Sequence, residues 1–117
     1  IFAVFLMAAA VQMNCSDAAT QTDMNICSYE AYQEADKALN KSWEKAAASA
    51  REQSPAAFKR LRDAQRKWIA YRDAHCLAEN GPREESGTIW PLVQNGCMKL
   101  LTEARTSQLR DYVETGN

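Results

Sequence analysis

Four cysteines are the residues of this 117-residue chain whose chemistry is easiest to interpret. The spacing is C-x11-C, C-x48-C and C-x20-C, running from Cys15 through Cys27 and Cys76 to Cys97. A C-x2-C pair is missing from this pattern, which argues against a structural zinc site. An even number of cysteines in a small exported chain is typical of a disulfide framework. We therefore predict two disulfides, each stabilising the fold by roughly 2–4 kcal/mol.

The other reactive side chains do not form a catalytic pattern. His75 is the sole histidine, and neighbouring helical residues point about 100° apart, so it cannot act as a dyad with Cys76. Glu79, Glu84 and Glu85 surround a loop without the apolar neighbours that would raise the pKa of one carboxyl for acid–base catalysis. A Gly-rich phosphate loop and a G-x-S-x-G motif are also missing from the sequence. We predict a non-enzymatic protein without a metal or cofactor.

Composition indicates a small helical domain. The chain holds 20 alanines but only 19 Leu, Ile, Val and Phe residues together, so the core of bulky groups is modest. Four glycines and three prolines are too few for the turns of an all-β fold. The net charge of -1 gives no electrostatic argument for binding nucleic acid or an acidic membrane surface.

The first eleven residues are all apolar, which is too short for a bilayer span and fits the hydrophobic region of a signal peptide. We interpret residues 1–14 as a signal-peptide remnant, with cleavage after Ala10, and predict a periplasmic or secreted protein. One alternative is an N-terminal helix that is retained and packs on the core or on a neighbour. The other is lipoprotein processing at Cys15, but Gln12-Met13-Asn14 lacks the small side chains that this processing prefers. Membrane attachment is expected only if Cys15 is lipidated.

Three stretches have apolar residues at helical spacing. Thr20 and Ser54 are suited to be N-caps, and Pro55 suits the first position of a helix. The clear loop runs from 80 to 87, within a helical domain predicted over 15–113, and 114–117 is predicted to be a disordered tail. The predicted helices cover 20–51, 55–79, and a third segment from 88 or 91 to 113.

The predicted fold is all-α: a small antiparallel helical hairpin with a third helix packed against it, fastened by two disulfides. Because the connection at 52–55 is short, residues of the first two helices whose numbers sum to about 107 should lie beside each other in the hairpin. We expect Arg72 to make a charge-assisted hydrogen bond to Asp36. This register predicts a partly buried structural polar cluster made of Asp36, Asn40, Gln65 and Arg72.

The same register gathers the four cysteines at one end of the bundle and leaves their pairing open. One possibility is Cys27–Cys76 with Cys15–Cys97, which we favour. The other is Cys15–Cys76 with Cys27–Cys97. A local Cys15–Cys27 bond is the least expected, because it would leave the third helix less firmly attached.

Four segments of the chain, covering Cys15 to Leu109 in order, carry a family resemblance. They are CSDAATQTDMNIC at 15–27, ADKALN at 35–40, AQRKWIAYRDAHC at 64–76 and GCMKLLTEARTSQL at 96–109. Together they resemble the lysozyme inhibitor LprI-like family of small bacterial envelope proteins. The resemblance implies a helical, exported, disulfide-bonded domain, with lysozyme inhibition in the branch that gives the family its name.

We therefore predict an exported binding protein whose partner is a lysozyme or another envelope protein. The alternative is a structural or stress-related periplasmic domain that binds an envelope protein or peptidoglycan. Inhibitors of lysozyme usually present a projecting polar or basic group to the catalytic carboxylates of the enzyme. Arg83 and Ser86, in the loop before the third helix, are the candidate binding residues. The near-neutral net charge predicts little steering toward a basic lysozyme.

Overall fold

The computed structural model describes residues 15–115, which fold into three α-helices and two short 3-10 turns. Residues 15–115 contain no β-strand, which confirms the all-α prediction. Helix α1 spans Gln21–Gln53, α2 spans Pro55–Asn80 and α3 spans Trp90–Thr115, with 3-10 turns at Cys15–Asp17 and Arg83–Glu85. None of the described helices is long and apolar enough to cross a membrane.

The predicted domain boundaries include residues at both ends of the chain that the structure does not describe. The proposed signal-peptide remnant, residues 1–14, lies outside them, as do residues 116–117. The prediction of a disordered tail from residue 114 is wrong for its first two residues, because Glu114 and Thr115 continue α3.

Short-range hydrogen bonds set the helix boundaries where the sequence predicted them. The Thr20 hydroxyl accepts from the Asp23 amide at 3.0 Å and caps α1. Ser54 alone connects α1 to α2: its amide donates to the Ala50 carbonyl at 3.1 Å, and its hydroxyl accepts from the Ala57 amide at 3.0 Å. Gly81 ends α2 with a φ of 70°, a left-handed conformation that favours glycine.

Helix α3 runs parallel to α1 and antiparallel to α2. Near the start of both α1 and α3, the side-chain amide of Asn95 donates to the Ser28 hydroxyl at 3.2 Å. Near the start of α3 and the end of α2, the side-chain amide of Asn80 donates to the side-chain oxygen of Gln94 at 3.0 Å. Helix α3 packs most extensively on α1 and holds the two arms of the hairpin together.

The core is built from alanines and few large side chains. Leu39, Leu61 and Leu109 are its buried leucines, and Ala46 and Ala50 are fully buried beside them. Small side chains allow helices to approach closely, but they remove little apolar surface from water. Four aromatic residues pack around this cluster and extend it: Trp43, Phe58, Trp68 and Tyr112.

Two buried polar side chains of α2, Gln65 and Arg72, contact α3. Gln65 accepts a hydrogen bond from Arg105 at 2.8 Å, and burial lowers the pKa of that guanidinium. Arg72, which is 9% exposed, donates to Asp73 at 3.1 Å and contacts the buried Thr102 hydroxyl at 3.5 Å. Both residues of the predicted cluster that lie on α2 are therefore buried and partnered.

The two α1 members of that predicted cluster do not join it. Asn40 is exposed, and the expected Arg72–Asp36 bond is wrong, because the ion pair of Arg72 among residues 15–115 is with Asp73. The register of the hairpin predicts only which residues of α1 and α2 lie beside each other. It did not include α3, whose Thr102 and Arg105 supply the partners instead.

The disulfides also differ from the favoured pairing. Cys15 bonds Cys27 and Cys76 bonds Cys97, with Cα–Cα distances of 5.7 and 5.8 Å. Neither pattern left open by the register forms, and the bond judged least expected does. A 3-10 turn at Cys15–Asp17 folds the lead-in back onto α1, and Cys76–Cys97 attaches α3 directly to α2. The third helix is therefore fastened without a bond to Cys15 or Cys27.

We expect the Leu109→Ala substitution to lower the free energy of unfolding by about 2–5 kcal/mol, because it leaves a cavity at a side chain that is 1% exposed. Urea denaturation followed by circular dichroism, with the disulfides intact, measures this change. Leu100→Ala on the same helix is the matched control, since Leu100 is 66% exposed, and its effect should stay within about 0.5 kcal/mol. Equal losses for both variants would contradict the assignment of the core.

We expect limited reduction to open Cys15–Cys27 before Cys76–Cys97. Cys15 is exposed, whereas Cys76 and Cys97 are 0% and 8% exposed, so a reducing thiolate reaches the first bond more easily. Alkylation at a series of times, followed by peptide mass spectrometry, gives both the pairing and the order. A bridged peptide that joins Cys27 to Cys76, or earlier labelling of Cys97, would contradict the structure.

Candidate functional site

The segment that joins α2 to α3 lies beside the start of α1. The side-chain amide of Asn25 donates to the Thr88 carbonyl at 2.9 Å, which ties this segment to α1. The indole N–H of Trp90 donates to the Gly81 carbonyl at 2.9 Å and closes the segment at its base. We call residues 81–89 the connecting loop. We call the end of the bundle that contains this loop and both disulfides the loop end.

Ser86 holds the connecting loop in shape. Its hydroxyl lies 2.9 Å from the Pro82 carbonyl and 3.2 Å from the Asn80 carbonyl, so its proton is shared within the loop. The side chain is half-buried, and Asn80 is itself bonded to α3 through Gln94. Of the two predicted binding residues, Ser86 therefore positions the loop, and its donor is already engaged.

Arg83 is the other predicted binding residue, and it is exposed on the 3-10 turn of the loop. Its guanidinium carbon lies 5.7 Å from the centre of the half-buried Trp90 ring, a distance suited to a cation–π contact. Among residues 15–115, no carboxylate forms an ion pair with Arg83. The structure therefore leaves Arg83 exposed and without a counter-ion within residues 15–115, and its role in binding stays a prediction.

Two open clefts flank Arg83 and Trp90. The larger cleft, about 610 Å³, has mostly polar residue types in its lining, whereas the smaller, about 290 Å³, includes the exposed Ile26 and Tyr29. Asn25, Arg83, Trp90 and Pro91 line both clefts. Aromatic rings, amides and one cation on a rigid frame are suited to contact with a partner. Sequence reasoning missed Asn25 and Tyr29, because only the folded chain brings the start of α1 to the loop.

The near-neutral net charge conceals a separation of charge along the bundle. The Ser28–Asn95 and Arg72–Thr102 contacts show which residues lie level, and they divide the charged residues into two halves. Residues 15–37 and 70–104, the loop-end half, hold ten acidic and four basic side chains, a net charge of −6. Residues 38–69 and 105–115, the basic half, hold five acidic and ten basic side chains, a net charge of +5. The low net charge therefore does not exclude electrostatic steering by either end.

A group of possible metal ligands on α2 and α3 does not make a metal site. Donor atoms of His75, Glu79 and Cys97 lie within 4.8 Å of one another. Cys97 is bonded to Cys76, so it cannot supply the thiolate that a metal requires. His75 and Glu79 alone are fewer than the three protein ligands of a catalytic zinc site.

Comparisons with known proteins give a consistent result. A family model described as "Lysozyme inhibitor LprI" matches residues 13–109. A curated relative, the uncharacterized protein R02472 of Rhizobium meliloti (strain 1021), is 32% identical over 112 residues, covering 87% of this chain and 80% of the relative. The comparison with solved structures found no match to this chain.

We expect Ser86→Ala to loosen the connecting loop, because the change removes the donor that bridges Asn80 and Pro82. Loss of this hydrogen bond should cost about 1 kcal/mol. Amide hydrogen exchange should become faster at residues 81–89 and stay unchanged along α1. Ser107→Ala is the matched control, since Ser107 is exposed on α3. Unchanged exchange in the loop of the Ser86 variant would contradict its positioning role.

Proposed function

We propose that this chain, which belongs to the lysozyme inhibitor LprI family, is an exported, non-enzymatic binding protein that inhibits a lysozyme through its loop end. Family membership supports the class of target. The two disulfides support a periplasmic or secreted location, because such bonds persist in oxidising compartments. The exposed Arg83 at the loop end supports inhibition by direct contact with the enzyme.

Arg83 is the observation that carries this proposal. It is an unpaired, exposed cation on a rigid loop, and it stands at the junction of two clefts. The catalytic site of a lysozyme holds two carboxylates that flank the scissile bond. A guanidinium inserted between them makes charge-assisted hydrogen bonds and occupies the place of the substrate. Inhibition then requires no chemistry from the chain itself.

The charge around Arg83 favours encounter with a basic enzyme. The loop-end half has a net charge of −6, and Glu84 and Glu85 lie exposed beside Arg83. An acidic surface raises the association rate with a basic lysozyme, and salt should weaken this effect. The negative charge of the loop-end half therefore attracts the enzyme at long range, and Arg83 contacts the catalytic carboxylates at short range.

The rigidity of the connecting loop contributes to affinity. Asn25, Ser86 and Trp90 each hold the loop by a hydrogen bond to a main-chain carbonyl. A loop ordered before contact loses less conformational entropy when it binds. The Cys76–Cys97 bond, which brackets the loop, restricts it further.

A second candidate function is binding of peptidoglycan itself. The larger cleft places the amide side chains of Gln21 and Asn25 near the half-buried ring of Trp90. Aromatic faces and amides suit the ring faces, hydroxyls and acetamido groups of an amino sugar. A glycan-binding chain would shield the cell wall from hydrolysis without touching the enzyme.

Arg83→Ala should raise the concentration needed for half-inhibition of the target lysozyme by roughly 10–100-fold, because it removes the central charged anchor. The assay titrates oxidised protein against lysozyme acting on a soluble chitin oligosaccharide. Arg66→Ala is the matched control, since Arg66 is an exposed cation on α2 in the basic half and the change in net charge is the same. Equal inhibition by the two variants would exclude Arg83 as the anchor.

The same titration on cell walls separates the two candidate functions. An inhibitor of the enzyme should act on both substrates, and reduced, alkylated protein should lose this activity. A peptidoglycan-binding protein should protect cell walls and leave hydrolysis of the soluble oligosaccharide unchanged. That second result would contradict the inhibitor proposal.

A further inference from the structure

A groove between α1 and α3 lies in the basic half, away from the loop end. It has a volume of about 400 Å³. Its lining consists of Ala38, Lys41, Ser42, Lys45, Arg110, Val113 and Glu114. Asn25 of the loop end lies 13 residues before Ala38 on the same helix, which corresponds to about 20 Å along α1. The two regions are therefore separate surfaces.

The three cations of the groove are not neutralised by an ion pair among the residues that the structure describes. Lys41, Lys45 and Arg110 are exposed, and none of them forms an ion pair within residues 15–115. Lysines elsewhere on the same two helices are neutralised by neighbours, as Lys37 is by Glu34. Glu114 is the one acidic residue of the lining, so the groove keeps a net charge of +2.

The groove also has an apolar part. Ala38 lies in its lining from α1, and Val113, which is 37% exposed, lies in it from α3. Lys41 and Lys45 also line the groove, and long lysine side chains commonly lay their aliphatic stems along apolar surface. A groove that joins cations to an apolar floor suits an anion with a hydrocarbon portion better than a free inorganic anion.

We propose that this groove binds the phosphate headgroup of an anionic phospholipid and so docks the basic half of the bundle on a membrane surface. The phosphate lies among Lys41, Lys45 and Arg110, and the start of the acyl region covers Ala38 and Val113. The net charge of the whole chain gave no reason to expect such a surface, but the half that contains the groove carries +5. This inference does not depend on the inhibitor proposal, because it uses none of the loop-end residues.

Sedimentation with lipid vesicles tests the groove. We expect the oxidised protein to bind vesicles of phosphatidylglycerol and phosphatidylcholine, and not vesicles of phosphatidylcholine alone. Lys41→Gln/Lys45→Gln/Arg110→Gln should weaken this binding at least about tenfold, because each cation contributes to attraction by the anionic surface. The matched control is Lys59→Gln/Arg66→Gln/Lys67→Gln, exposed cations on α2 whose loss lowers the net charge by the same three units.

Each outcome decides the proposal. Loss of binding in the groove variant alone, with helical circular dichroism retained, supports it. Equal loss in both variants would overturn it in favour of diffuse attraction to the basic half. Retained binding in the groove variant would overturn it directly. Suppression by millimolar inorganic phosphate at constant ionic strength would identify a site for free phosphate, which also overturns the lipid assignment.

Lysozyme inhibition measured on the same variants keeps the two proposals separate. The groove variant should inhibit a lysozyme in solution as the unmodified protein does. Arg83→Ala should bind anionic vesicles normally, since Arg83 lies at the loop end. A loss of vesicle binding on changing Arg83 would contradict the assignment of the lipid site to the groove.

Discussion

The Cys76–Cys97 disulfide is the constraint on which the rest of this structure depends. The core relies on alanine and three buried leucines, so apolar burial alone attaches the third helix only modestly. The bond fixes the start of α3 against the end of α2, and the Arg72–Thr102 and Gln65–Arg105 contacts continue the same register. It also brackets the connecting loop, so the covalent bond that completes the bundle prepares the loop for binding.

Local signals in the sequence predicted what local physics determines. Thr20, Ser54 and Pro55 marked helix boundaries because capping depends on residues within one turn. The Cys76–Cys97 bond and the partners of Gln65 and Arg72 depend on the direction of α3, for which the sequence has no local signal. The Cys15–Cys27 bond depends instead on the path of the chain before α1, because a 3-10 turn of three residues was enough to bring Cys15 to Cys27. Arg83 was predicted as a binding residue from its type and loop position, and that role stays a prediction, whereas its neighbours on α1 become visible only in the fold.

Charge illustrates how a composition average misleads. A net charge of -1 suggested that electrostatics contributes little to partner choice. The fold places most acidic residues in the half with the loop and most basic residues in the other half. Each half then attracts partners of opposite sign, and the two attractions act about 20 Å or more apart on one molecule. Under the two proposals, one end of the bundle would hold an anionic surface and the other would meet a basic enzyme.

Calorimetric titration of the oxidised protein into a lysozyme, with the active site free or filled by a soluble chitin trisaccharide, tests the central claim most directly. If Arg83 enters between the catalytic carboxylates, binding should be stoichiometric with the free enzyme and strongly weakened by the trisaccharide. Binding that is unaffected by the trisaccharide would place the contact outside the active site. Absence of heat with lysozymes of several types would contradict inhibition as the function of the loop end.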